Sequence, residues 1–204
     1  MVRLQPTSRG SRADGEETRA RLLTTTRDMV LEVGPDHVSL REVARRVGIS
    51  APAVYRHFDD KDALILAACQ QGFLVFSSYL VRALAEPTPL LRLRACGANY
   101  LRFGLENERD YRFIFMSHVP RASAKSTPKQ DSTFQFLVDR VSECMKARIL
   151  RKGDAEAVAA TIWAHVHGLV SLRLSGHLAS VGNDKAFAEF YRHAVDELLR
   201  GLGT

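Results

Sequence analysis

The stretch SLREVARRVGISAPAVYRHFDDK, residues 39–61, predicts two short helices joined by a tight turn. Ser39 and Glu42 form a capping box, in which each side chain can bond a backbone N–H of the other residue and start the first helix. Gly48 ends that helix where the backbone must turn into the left-handed region. The apolar residues Leu40, Val43 and Val47 are spaced three and four apart, and Val54 and Phe58 are four apart. Both spacings are typical of the inner face of a helix.

The second helix has its own start signals and is followed closely by a third. Ser50 is positioned to cap the second helix, and Pro52 lies in its first turn, where a missing N–H costs little. Asp59 or Asp60 is expected to cap the next helix, which begins near Lys61.

The polar residues of this stretch favour a DNA-binding helix-turn-helix over an ordinary helical bundle, although two helices and a glycine turn occur in both. Arginine pairs bidentately with guanine edges and phosphates. Lys61 lies at a helix N-terminus, where the macrodipole disfavours a cation unless a bound phosphate offsets it. We predict these DNA contacts: Ser39, Arg41, Ala51, Pro52, Ala53, Tyr55, Arg56, His57 and Lys61.

Three segments resemble the DNA-binding domain of the TetR family: Gly48-Ile49-Ser50, AVYRHF at 53–58 and KDAL at 61–64. That family combines a glycine turn, a Tyr-x-His-Phe recognition helix and a Lys-x-x-Leu start to the fourth helix. The resemblance covers roughly residues 16–76. A second segment, WAHVHG at 163–168, is similar to the W-x-x-x-H-G signature of one subgroup of TetR-family ligand domains.

The rest of the chain also has helical periodicity, and no alternating strand pattern competes with it. We expect an all-α protein of about nine helices, with a helix-turn-helix domain at 16–76 and a helical effector-binding and dimerisation domain at 77–204. A long helix from Asp62 to about Ala85 is predicted to join them. Further helices are expected at 16–33, 90–106, 134–150, 154–178 and 184–199.

Composition agrees with a nucleic-acid partner but does not locate the binding surface. The net charge is +6 over 204 residues, yet residues 1–60 carry ten arginines against nine acidic residues. Binding must therefore depend on where individual arginines are placed rather than on bulk charge.

The resemblance implies that the C-terminal domain encloses a small, largely apolar effector. Aromatic walls with a few polar groups suit such a ligand, although the same residues often form an ordinary core. The expected walls are Phe103, Tyr111, Phe115, Met116, Phe134 and Trp163, and the expected polar groups are Tyr100, His118 and His167.

A monomer offers only one recognition helix, so we expect a homodimer on a palindromic operator of double-stranded DNA. Surplus apolar surface on the last two long helices is best hidden by self-pairing. The expected interface residues are Trp163, Leu174, Phe187, Phe190, Tyr191, Ala194 and Leu198. The predicted function is a cytoplasmic repressor released by its effector. The alternative is a DNA-binding regulator without a small-molecule ligand, controlled by a protein partner.

Other functions find little support in the sequence. His165 and His167 are two residues apart on a predicted helix and point in different directions, so we expect no metal site. The three cysteines lack motif spacing, and a cytosolic protein with free thiols is the simpler interpretation. We expect no cofactor, no membrane partner and no enzymatic activity, because no catalytic motif is present.

Overall fold

The computed structural model describes the backbone of residues 8–117 and 128–204 and the side chains of residues 14–117 and 132–204. Within these ranges the chain forms nine α-helices and no strand, which confirms the all-α prediction. The helices are α1 Ser8–Val33, α2 Leu40–Val47, α3 Ala51–Tyr55, α4 Lys61–Leu80, α5 Pro89–Glu106, α6 Glu108–Tyr111, α7 Pro128–Lys146, α8 Ala155–Leu174 and α9 Asp184–Leu202. Short 3₁₀ turns occur at Pro35–His37, Val81–Ala85 and Ala179–Val181, and Arg112–Met116 forms a π-helical turn.

Several predicted helix ends were wrong. In two cases a single residue with a positive φ ends the helix earlier than expected. The helix expected to run to residue 150 ends at Lys146, because Arg148 has a φ of 57°, which a right-handed helix cannot contain. Likewise α8 ends at Leu174, just before Gly176 with a φ of 84°. The α-helical part of the helix expected at 62–85 is shorter, because Val81–Ala85 tightens into a 3₁₀ turn.

The described residues cluster into two compact units. The first runs from α1 to Gly72 and includes the segment that begins at Arg112; the second comprises Phe73–Tyr111 and Ser126–Thr204. Helix α4 contributes residues to both units. The domain boundary expected between residues 76 and 77 stays a prediction.

The first unit is built on the contact between α1 and α2, with α3 packed against α2. Each helix turns one apolar face inward: Leu22, Met29, Val43, Val47, Val54 and Phe58 are all buried. Among the described side chains of this unit Thr26 is the one buried polar residue; it donates its hydroxyl to Leu22 O at 2.7 Å, so its burial leaves no donor unsatisfied.

In the second unit α5 packs against α7, α8 and α9. Gly104 lets α5 approach α8 closely, because a Cβ there would stand 2.6 Å from Val170 Cγ1. A bulkier residue at Gly104 would therefore force α5 away from α8. On the side of α9, Tyr191 donates its hydroxyl to Gly97 O at 2.8 Å, and a Cβ at Gly97 would lie at an ordinary contact distance of 3.7 Å from that hydroxyl.

Candidate nucleic-acid interface and effector site

The helix-turn-helix is set by local backbone chemistry. Ser39 Oγ accepts the backbone N–H of Glu42 at 3.2 Å and starts α2. Gly48 ends α2 with a φ of 79° and a ψ of 32°, and its N–H donates to Ala44 O and Arg45 O. This left-handed residue lets α3 begin only three residues later, with Pro52 in its first turn.

Two capping expectations were wrong. The Glu42 carboxylate does not complete the capping box but accepts two hydrogen bonds from Arg45, at 2.8 and 2.6 Å, and one from Arg46 at 3.2 Å. These bonds to Arg45 and Arg46 lower the pKa of Glu42 to about 2. Ser50 makes no side-chain bond to the start of α3. By contrast, Asp60 does cap α4, accepting the N–H of Ala63 at 2.7 Å.

The arginines of this segment fall into two classes. Arg45 and Arg46 are held by carboxylates, with a further bond from Arg46 Nη1 to Glu32 Oε2 at 2.6 Å. Arg41 and Arg56 are exposed, and neither has an ion-pair or hydrogen-bond partner among the described residues. Only this second class is available to a ligand without first breaking an existing bond.

The remaining predicted DNA contacts differ in their exposure to solvent. The Tyr55 side chain is 55% exposed, and Ser39 and Pro52 are also exposed. Ala51, Ala53 and His57 are half-buried. Lys61 is also half-buried, and its Nζ lies 3.4 Å from the carbonyl oxygen of Pro35, a weak contact at most.

In the second unit a hydroxyl–imidazole cluster lies within the aromatic core. Tyr100 and Tyr111 each place their hydroxyl 2.9 Å from His167 Nδ1, and these two hydroxyls are 3.3 Å apart. Ser171 Oγ lies 3.2 Å from the Tyr111 hydroxyl and 3.3 Å from His167 Nε2. Four side chains from α5, α6 and α8 therefore form one polar network, which we call the His167 cluster.

Burial shapes the chemistry of this cluster. Desolvation lowers the pKa of His167 and raises the pKa of both Tyr100 and Tyr111. The imidazole and both phenols are therefore held in their uncharged forms near neutral pH, which suits hydrogen bonding to an uncharged polar group.

The predicted effector residues do not all gather here. Phe103 is buried with its ring 6.3 Å from Tyr111, and Trp163 links Phe134 to His167, with ring centroids 6.0 Å apart in both pairs. Phe115 and Met116 belong to the first unit, and His118 lies outside the described residues. Sequence reasoning missed Ser171, although its position four residues after His167 puts both on one face of α8.

The predicted dimer residues divide between interior and surface. Phe187 and Tyr191 are 0% and 2% exposed within the single subunit, so they add no free surface. Trp163 and Phe190 are 37% and 39% exposed, and Leu174, Ala194 and Leu198 are half-buried. Only 22% of the most apolar stretch of α8 is buried.

A separate open groove of about 860 Å³ runs between α5 and α9. Its floor is apolar, with Ala95, Ala98, Leu101, Leu105 and Ala188 among the lining residues, and its rim carries charged side chains from both helices.

Comparison with known proteins agrees with this architecture. Residues 22–68 match the family of bacterial regulatory proteins described as the tetR family, and residues 93–198 match the tetracyclin repressor-like C-terminal domain. The chain is 28% identical over 154 residues to the HTH-type transcriptional activator FasR of Mycolicibacterium smegmatis, covering 71% of this chain and 70% of FasR.

Two solved structures illustrate the likeness in fold. A protein of unknown function from Rhodococcus sp. RHA1 superposes with a TM-score of 0.76 at 28% identity, over 92% of this chain and 96% of the other. AibR, solved in complex with isovaleryl coenzyme A and operator DNA, superposes with a TM-score of 0.69 at 17% identity, over 91% and 97% of the two chains.

Proposed function

The chain belongs to the TetR family of DNA-binding transcriptional regulators, and from this premise we propose that it is a repressor released from its operator by a small, largely apolar effector. The observation that carries the proposal is the His167 cluster, an uncharged polar network inside the aromatic core of the second unit. An effector with an apolar body and one polar group would pack against such aromatic rings and exchange hydrogen bonds with the cluster.

The DNA-binding part of the proposal assigns roles to individual side chains. Arg41 and Arg56 read bases, because they are exposed and have no carboxylate partner among the side chains that the structure describes. Tyr55 and Lys61 contact phosphates and fix the position of α3 on the duplex. Small apolar side chains at the start of α3 touch thymine methyl groups but form no hydrogen bonds with bases.

Signalling would use the segment that follows Tyr111 in the chain. Tyr111 belongs to the His167 cluster, and the next five residues form the π-helical turn Arg112–Met116, which packs against α1. In that turn, Ile114 Cγ2 lies only 2.6 Å from the position of a Cβ on Gly72. An effector that displaces Tyr111 would therefore pull on a tightly packed contact of the DNA-binding unit, while α4 carries a second connection.

We further propose a cytoplasmic homodimer that binds a palindromic operator. The exposed apolar side chains of α8 and α9, Trp163, Leu172 and Phe190, support an interface on these helices. Two recognition helices on one face of the duplex would then read half-sites about 34 Å apart.

The test begins with duplexes that the protein selects from a random-sequence library. Thermal shift against small apolar metabolites such as steroids, with the large and highly charged acyl coenzyme A thioesters as a comparison class, then identifies a ligand by its stabilising effect. We expect that ligand to weaken binding to the selected duplex roughly 5–150-fold. Tyr111→Phe is expected to reduce this coupling while leaving DNA affinity without ligand nearly unchanged. A ligand that binds tightly but leaves DNA affinity unaltered would contradict the proposal and favour control by a protein partner.

A further inference from the structure

The groove between α5 and α9 has a rim whose charges cancel. Four basic residues, Arg94, Arg102, Lys185 and Arg192, line it together with four acidic residues, Glu86, Glu106, Glu189 and Asp196. A surface with equal numbers of positive and negative side chains does not select a polyanion or a basic peptide. The partner that fits best is one that presents alternating charges over the same length.

Helix α9 itself carries such a pattern. Lys185, Glu189, Arg192 and Asp196 are spaced four, three and four residues apart, so they lie within about 60° of one another around the helix. Their signs alternate from the first to the last. When this helix is placed antiparallel to an identical copy, Lys185 meets Asp196 and Glu189 meets Arg192, and each pair occurs twice.

Three of these four charges have no ion-pair partner in the part of the chain that the structure describes. Lys185, Glu189 and Arg192 are exposed, and none takes part in an ion pair among the described residues. Glu197 and Arg200, on the other flank of the same helix, form an ion pair at 2.7 Å. Glu189 and Arg192 have the same three-residue spacing but form no such pair. Asp196 also pairs, with Arg94 at 2.9 Å, and a carboxylate can accept a second cation.

We propose that this groove is a second self-association surface, in which α9 of one copy lies antiparallel to α9 of another. The interface is isologous, because a two-fold axis near the midpoint of Glu189 and Arg192 maps the stripe onto itself. The long stems of Lys185 and Arg192 cover the alanine- and leucine-lined floor of the facing copy.

This surface differs from the proposed dimer interface, since Phe190 and Leu198 lie on another side of α9. A protein with two different isologous surfaces assembles beyond the dimer. Exposed ion pairs are individually weak and screened by salt, so the contact forms at low ionic strength and at high local concentration. Two dimers on neighbouring DNA sites would meet that condition.

Sedimentation equilibrium of the full chain in low and high salt tests the proposal. We expect the average mass to rise with concentration at about 50 mM NaCl and to fall back to one limiting value at about 500 mM. Glu189→Arg and Arg192→Glu each place like charges opposite one another and should weaken this step roughly 5- to 100-fold.

The decisive variant exchanges both residues. The double exchange Glu189→Arg with Arg192→Glu keeps the net charge and recreates both opposite-charge pairs in the antiparallel arrangement, so it should restore the assembly. Lys152→Glu serves as a control, because Lys152 is exposed, lies outside the groove and has no ion-pair partner among the described residues. A mass independent of salt, single variants that assemble normally, or a double exchange that stays dissociated would each overturn the proposal.

Discussion

Gly104 offers a direct test of how the His167 cluster is assembled. Its Cβ position lies 2.6 Å from Val170 Cγ1 and 3.4 Å from Tyr111 Cδ2, so an added methyl group would fall about 0.8 Å short of ordinary contact with Val170. Both Val170 and Tyr111 are fully buried, which leaves them little room to yield. Gly104→Ala should therefore force α5 away from α8, the helix that carries His167 and Ser171 of the cluster.

The expected size follows from two opposing effects. Overpacking costs about 1–3 kcal/mol of unfolding free energy, and replacing glycine by alanine inside a helix returns about 1 kcal/mol. The net loss should be up to about 2 kcal/mol, measured by urea denaturation. Val170→Ala alone should cost roughly 1.5–3 kcal/mol through lost burial and a cavity. The double variant Gly104→Ala with Val170→Ala should lose at least about 1 kcal/mol less unfolding free energy than the two single variants lose together, because the new methyl group occupies the space that Val170 vacates.

Gly201 supplies the matched control. It is an exposed helical glycine of the same unit, and nothing stands within 4 Å of its Cβ position. Gly201→Ala should leave stability unchanged or raise it by up to about 1 kcal/mol. Equal behaviour of Gly104→Ala and Gly201→Ala, or strict additivity of Gly104→Ala with Val170→Ala, would refute the packing argument.

Four further changes test other parts of the molecule. Lys61→Ala should weaken binding to every duplex and lower the salt slope by about one unit, as seen by fluorescence anisotropy across a salt series. Arg41→Ala or Arg56→Ala should instead relax discrimination at one operator position by roughly 1–3 kcal/mol, measured with single-base variants of the selected duplex; uniform weakening would make these arginines phosphate contacts. Phe190→Asp should give a folded monomer by light scattering, because it puts a charge into an apolar seam; a surviving dimer would move the interface elsewhere. The pKa of His167 is depressed in the folded state, so stability should fall as pH drops below the unfolded value of about 6.5 and level off below the folded pKa. His167→Asn should flatten this pH dependence.

The elements that sequence predicted well depend on interactions between near neighbours in the chain. The Ser39 cap, the left-handed Gly48 and the inward face of α2 and α3 each involve residues no more than a few positions apart. Helix ends were predicted less well where an unusual residue such as Arg148 takes a left-handed conformation, because such a residue is rare and carries no sequence signal.

The hydrogen-bond partner of a side chain could not be predicted from neighbouring residues in the sequence where several partners compete. Glu42 was predicted to bond the backbone of Ser39, yet two arginines of its own helix compete for the same carboxylate with stronger, charge-assisted bonds. Tyr111 was expected as an apolar wall and instead places its hydroxyl in the His167 cluster.

The sequence by itself determined that the chain is all-helical, that it carries a helix-turn-helix and that it resembles TetR regulators, because short-range periodicity and capping specify these features. Tertiary structure alone decided that Phe187 is buried while Phe190, three residues later on the same apolar stripe, is 39% exposed. It also brought Tyr100 and His167, 67 residues apart, within hydrogen-bonding distance. Periodicity shows which residues share a helix face, whereas the packing of distant helices sets how much of that face is covered and which polar groups meet.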